Sequence, residues 1–217
     1  MLKLAGALGA GVAIGAGLEY GATQILKPPV ATPERTGSPM TVWEAFKSRK
    51  STNGFQTQPL TNEKLLSLLW AAWGINRPDS GKRTAPSAMN AQDIDIYVLL
   101  PEGAYIYDAK GNQLTPVLAQ DLRTKATIQD SMKDAPVQLL FVADYAKFRG
   151  NVPQVQKELY SATHSGFIGQ NVYLYCVSEG LGAHFYVNIN RAALKDSLKL
   201  REDQAIVYAQ AIGYPKG

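Results

Sequence analysis

A chain of 217 residues that is 46% apolar and 18% charged has the makeup of a folded globular protein, which excludes a disordered or low-complexity one. Its formal charge of +4, spread without any long Lys/Arg block, suits an anionic ligand such as a phosphate and argues against a nucleic-acid-binding stripe. The single cysteine, Cys176, excludes an internal disulfide, and with only two histidines beside it no His/Cys metal site is expected.

Residues 2–18 form an apolar run of small residues with one charge, Lys3, near its start. The run is short and glycine-rich for a spanning helix but suits the h-region of an export signal, with small residues at Gly21-Ala22 for cleavage. An uncleaved anchor or docking helix is the alternative. Residues 1–26 are therefore expected to be an export signal or membrane anchor. The protein would be exported (periplasmic or membrane-anchored), or cytoplasmic if the segment is no signal. Between Lys27 and Met40, Pro28, Pro29, Pro33, Gly37, Ser38 and Pro39 rule out regular helix, so 27–40 reads as a linker. That leaves 41–217 as one domain of about 175 residues, enough for one sizeable core.

Within the domain, Thr41-Val42-Trp43-Glu44 has capping-box spacing and predicts a short helix running toward Ser48. A second helix is expected after Thr61, carrying Leu65, Leu66, Leu68, Leu69, Trp70 and Trp73 before Gly74. So dense an apolar set predicts burial, with both tryptophans in the core rather than stacked on a ligand. Asp93 and Asp95 are expected to be solvated turn residues ahead of a strand rather than a working acid pair. Residues 96–100 and 104–108 flank Pro101-Glu102-Gly103 as a hairpin, and Lys110-Gly111-Asn112 makes a further turn. Val137 to Ala143 reads as a buried strand, Gly166 to Gly180 as a helix apolar on most faces, and Ala205 to Ile212 as the final strand. Cys176, among Tyr175 and Val177, is expected to be a buried structural thiol. Helices and strands mix without βαβ regularity, so the class is α+β.

The chain has no Gly-x-Gly-x-x-Gly after a strand, no phosphate-binding P-loop and no nucleophile elbow, a pattern that fits an enzyme borrowing its reactivity from a cofactor. Two polar segments stand out. Arg49-Lys50-Ser51 closes the first helix, where it reads as a solvated helix end or a ligand site. Arg83-Thr84-Ala85-Pro86-Ser87-Ala88-Met89-Asn90-Ala91-Gln92 joins a buried helix to a strand and offers amides and small side chains to a flat ligand.

Taken in order, several stretches together resemble the nitroreductase family over about 41–217. They are Arg49-Lys50-Ser51 with Phe55, the run 70–78, Arg83 to Ala88, Gly166-Phe167-Ile168-Gly169-Gln170-Asn171 leading to Gly180-Leu181-Gly182, and Ile212-Gly213-Tyr214-Pro215. The branch is the one resembling azoline-forming dehydrogenases. The resemblance implies a nitroreductase-like α+β fold, with a mainly antiparallel central sheet flanked by helices and an FMN site at a homodimer interface. Arg49 and Lys50 would meet the phosphate, Ser51 the phosphate or ribityl chain, and Lys216 would add a further cation. Asn53 stands where many members carry a second cation. Pro86, Ser87, Ala88 and Asn90 would come from the partner subunit and line the isoalloxazine. The segment from Gly182 to Val187-Asn188 would place a backbone N–H near flavin N5. The 166–180 helix would be the dimer core. His164, expected in the turn before that helix, and His184 are candidate substrate contacts, with a solvated or core histidine as the alternative. No protein side chain is assigned as catalytic. The implied reaction is a ping-pong reduction of small nitroaromatic or quinone-like acceptors by NAD(P)H. A flavin-dependent dehydrogenase and a non-catalytic flavin binder are the alternatives.

Overall fold

The computed structural model describes residues 40–217, so the expected signal or anchor at 1–26 and the linker at 27–40, apart from Met40, lie outside the described residues. Helix α1 (Val42–Ser48) starts where the capping-box spacing places it: Glu44 N–H donates to Thr41 Oγ1 at 3.2 Å, and Thr41 N–H donates to the Glu44 carboxylate at 2.7 Å. Helix α2 (Asn62–Trp73) is capped by Thr61 and stops at Gly74, where a Cβ would come within 2.5 Å of the Trp70 carbonyl oxygen. Trp73 is core, as expected, with its indole N–H donating to Ile94 O at 2.8 Å. Trp70 differs: it is half-buried and lines a cavity of about 480 Å³ beside α1 and the long helix described below.

A small antiparallel ladder of β1 (Ile75–Arg77) and β2 (Lys82–Arg83) leads into the main sheet. The remaining elements, in chain order, are β3 (Ile94–Leu100), β4 (Gly103–Asp108), β5 (Gln113–Leu118), α3 (Arg123–Ala126), α4 (Asp130–Lys133), β6 (Val137–Asp144), α5 (Gln154–Ser178), β7 (Gly182–Tyr186), α6 (Arg191–Leu198) and β8 (Gln204–Gly213). The six-stranded sheet has the order β5-β4-β3-β6-β8-β7, and every neighbouring pair is antiparallel. The fold is α+β, as the sequence predicts.

Alternation along the central strands explains why β3 and β6 read as continuous apolar runs. Ile96, Val98, Leu139 and Phe141 pack under α2 and α5, whereas Tyr97, Leu99, Leu140 and Val142 pack with Leu122, Met132, Leu194 and Leu198 on the opposite face. Each such side chain removed from water contributes on the order of 2 kcal/mol. Pro116 sits in β5, an edge strand, where a missing N–H is tolerated.

Helix α5 starts twelve residues before the expected Gly166, because its first half, from Gln154 to Ser165, is polar and carries little apolar signal. Part of the apolarity of the 166–180 stretch, expected to serve a dimer core, is accounted for by burial within the chain itself. Ile168, Val172 and Cys176 are buried on the sheet, and Gly169 lies so close that a Cβ would meet the Phe185 ring at 2.6 Å. Burial, with Glu179 nearby, pushes the Cys176 thiol far above its ordinary pKa, which makes it the inert structural cysteine the sequence predicts.

Candidate functional site

At the end of α1 the backbone turns extended at Arg49 (φ −61°, ψ 124°) and runs along the β7 edge of the sheet. Ser51 forms a parallel bridge with Ala183, Thr52 N–H donates to Ala183 O at 2.9 Å, and Phe55 bridges Pro215. Contact is close enough that a Cβ on Gly182 would lie 2.5 Å from Thr52 Oγ1, so glycine is needed there. Tyr173 of α5 organises this edge. Its hydroxyl accepts Phe185 N–H at 2.9 Å and lies 3.0 Å from Ser51 Oγ, while the Arg49 guanidinium sits 5.1 Å from its ring centroid.

Other expected ligand residues gather around the same edge. His184, half-buried in β7, donates from Nδ1 to Thr52 O at 3.1 Å, and its Nε2 has no hydrogen-bond partner among the described residues. Lys216 lays its alkyl chain on Gly54, at 3.7 Å from a Cβ position there, and pairs through Nζ with Asp134 at 2.7 Å. Lys50 and Asn53 are exposed and have no polar partner among the described residues. Val187 and Asn188 follow β7 and are exposed, with the Val187 carbonyl accepting from Arg191 Nη1 at 3.1 Å. An arginine, a lysine and a hydroxyl on consecutive residues form a donor set whose chemistry fits a phosphate-bearing cofactor.

The second expected segment lies elsewhere. Its residues 86–92 include Met89, Asn90 and Gln92 at φ 54°, 52° and 48°, left-handed conformations that cost side-chain-bearing residues about 1 kcal/mol each. Pro86, Ser87 and Asn90 line a cavity of about 230 Å³ together with Arg77, Lys82 and Arg83. Arg83 is stacked 4.8 Å from the Trp73 ring centroid, and burial lowers its pKa against the opposing pull of Tyr107, Asp95 and Asp108. Ala88 N–H donates to His164 Nε2 at 2.7 Å.

Two expectations are corrected here. His164 is not in a turn: it lies inside α5, is 2% exposed, and has both ring nitrogens engaged, so it offers a substrate no polar atom within this chain. Asp93 is not a solvated turn residue: it is fully buried, accepting from Ser161 Oγ and His164 Nδ1, each at 2.6 Å. Asp95 is not in a turn either: it lies within β3 opposite Val142, partly exposed and paired with Lys147. Sequence reasoning missed Asp93, Ser161 and Tyr173 as organisers. Their partners are distant in sequence, and only the nearness of Asp93 to the 83–92 loop gave a signal.

Both segments touch α5, at His164 and at Tyr173. At 1.5 Å and about 100° per residue, these points are roughly 13 Å apart along the axis and about half a turn apart around it. Exposed apolar side chains also gather on two helices, Val42, Trp43 and Phe46 on α1 and Val155, Leu159 and Phe167 on α5, with Met89 in the loop.

The antiparallel sheet walled by helices carries at its β7 edge a cationic donor set, Arg49-Lys50-Ser51, suited to an anionic group. The nitroreductase family model matches residues 46–214, and the chain belongs to that family. It is similar to a Methanocaldococcus jannaschii protein named "putative nitroreductase", at 30% identity over 161 residues, 68% of this chain and 80% of that one. It is similar also to the crystal structure of a "putative nitroreductase" from Ralstonia eutropha, at 38% identity and TM-score 0.79, covering 88% of this chain and 94% of that one. The NADPH:FMN oxidoreductase of Vibrio harveyi, complexed with NAD+, shares the fold at 21% identity and TM-score 0.61, over 81% of this chain and 69% of that chain.

Proposed function

We propose that this chain forms a homodimer that binds FMN and uses NAD(P)H to reduce small nitroaromatic or quinone-like acceptors in a ping-pong cycle. The observation that carries the proposal is the Tyr173-centred edge, where Arg49 and Ser51 are held beside the backbone of β7. FMN, when bound, supplies the hydride chemistry, and the protein supplies binding and orientation.

Arg49 offers a planar pair of donors to phosphate oxygens, and its stacking on Tyr173 limits the freedom lost on binding. Tyr173 donating to Ser51 Oγ would turn the serine's own proton outward to a phosphate or ribityl oxygen. Lys50 adds charge, and Lys216 can do so by exchanging Asp134 for the ligand. A backbone N–H at Val187 or Asn188 serves the N5 side of the flavin. His184, held by Thr52 through Nδ1, presents Nε2 to an acceptor.

The 86–92 loop and the Arg49 edge meet α5 about half a turn apart, which suits delivery of the two to one cofactor by different copies. A two-fold partner supplies Pro86, Ser87, Ala88 and Asn90 and covers the exposed apolar residues of α1 and α5.

The test is an absorbance spectrum of the purified protein, anaerobic addition of NADH and NADPH, and mass by light scattering. Bands near ~370 and ~450 nm that bleach with either nucleotide, in a particle twice the chain mass, support the proposal. A colourless protein that FMN does not reconstitute overturns it.

A further inference from the structure

The loop at 86–92 needs an external restraint. Met89, Asn90 and Gln92 occupy left-handed conformations, which persist only where the surroundings over-determine them. Yet most polar ties of the loop close on its own neighbourhood. Gln92 N–H donates to Ser87 Oγ at 3.1 Å, Gln92 Nε2 to Gly81 O at 3.0 Å, and Arg83 Nε to Gln92 Oε1 at 2.7 Å. Beyond the Arg83 bond to the adjoining short strand β2, Ala88 N–H to His164 Nε2 ties 86–92 to the long helix α5.

That bond fixes the state of the ring. A backbone amide can only donate, so Nε2 accepts, and the imidazole carries its proton on Nδ1. Nδ1 points at Asp93 Oδ1, 2.6 Å away, and Ser161 Oγ holds the other carboxylate oxygen at 2.6 Å. Tyr160 stacks alongside, with its centroid 6.3 Å from that of the imidazole. Asp93 thus selects the tautomer. A proton placed on Nε2 would set donor against donor at Ala88.

We propose that His164, oriented by Asp93 and Ser161, is a positioning residue: its Nε2 holds the 86–92 loop in the pose that the flavin meets, before any ligand arrives. The identity of that ligand rests on the function proposed above, whereas the latch is a property of the chain alone. In the proposed dimer, His164 of one copy sets the loop that lines the cofactor of the other.

Two substitutions separate the halves of the ring. His164→Asn keeps an amide donor for Asp93 but has no acceptor that reaches Ala88. His164→Gln carries Oε1 to the place of Nε2 and restores the acceptor. The readouts are deuterium exchange across 84–92 in the flavin-free protein and the FMN dissociation constant from fluorescence quenching. Loss of one such bond predicts exchange faster by about fivefold or more in His164→Asn and FMN binding weakened by a similar factor. His164→Gln is expected to stay within about twofold of wild type in both. Unchanged exchange in His164→Asn overturns the proposal. So does equal acceleration in both variants, which would mean the ring acts by packing alone. If exchange follows the expected pattern but wild-type protein binds no FMN, the latch stands and the flavin reading fails.

Discussion

Tyr173→Phe is the substitution that tests the candidate site most directly. It removes one oxygen and leaves the ring, so Arg49 keeps its stacking partner while Phe185 N–H loses its acceptor and Ser51 Oγ its neighbour. Tyr173 is half-buried, so the amide is only partly open to water. An unmade bond of that kind costs about 1–2 kcal/mol. For a domain of this size that lowers Tm by roughly 3–6 °C. Urea denaturation of wild type, Tyr173→Phe, Ser51→Ala and the double variant completes a thermodynamic cycle. The 3.0 Å contact predicts a coupling of about 0.5–1.5 kcal/mol between the two positions. FMN affinity should fall in Tyr173→Phe, because Ser51 is no longer oriented. Additive effects, within roughly 0.3 kcal/mol, would refute the claim that Tyr173 organises this edge.

Gly182→Ala forces a Cβ to within 2.5 Å of Thr52 Oγ1 and should cost about 1–3 kcal/mol, read from the urea midpoint; a neutral result would mean that the 49–55 segment is not pressed against β7. Cys176 should resist a thiol reagent in the native protein and react as a single thiol once unfolded, and native labelling at the unfolded rate would contradict its burial. Several carboxyls are held below their ordinary range: Glu44 by the Thr41 N–H and hydroxyl, Asp130 by Lys133, and Asp121 by its bonds to Arg123, which outweigh a burial that pushes it up. A folded pKa below the unfolded one gives stability that is present above the unfolded value and lost as pH falls through the folded one. The urea midpoint should therefore hold from pH 7 to about 5 and decline below about 4, and a midpoint that rises on acidification would reverse that sign.

Local chemistry made much of the fold legible. The Thr41–Glu44 box, the stop at Gly74 and the Pro101-Glu102-Gly103 hairpin each carry their cause within a few residues, and each stands where the sequence places it. The start of α5 was hidden because Gln154 to Ser165 is polar, with the helix held by contacts made elsewhere in the chain. Strand β7 was missed because its five residues follow a glycine-rich turn, and what makes them a strand is the ladder with β8. The same division runs through the candidate site. The family resemblance marked Arg49, Ser51, Gly182, His184 and Lys216, and the last three each contact the 52–54 segment that follows Ser51. The burial of Asp93 depends on Ser161 and His164, partners too far along the chain for any local pattern to reveal.

Helix α5 also constrains how this chain can change over time. What places His164 under the loop and Tyr173 under the edge is their angular phase on one rod, and side-chain substitutions between them leave that phase intact. Insertion or deletion of a single residue between them would swing one contact about 100° around the axis relative to the other. The stretch from 165 to 172 is therefore closed to any change in length.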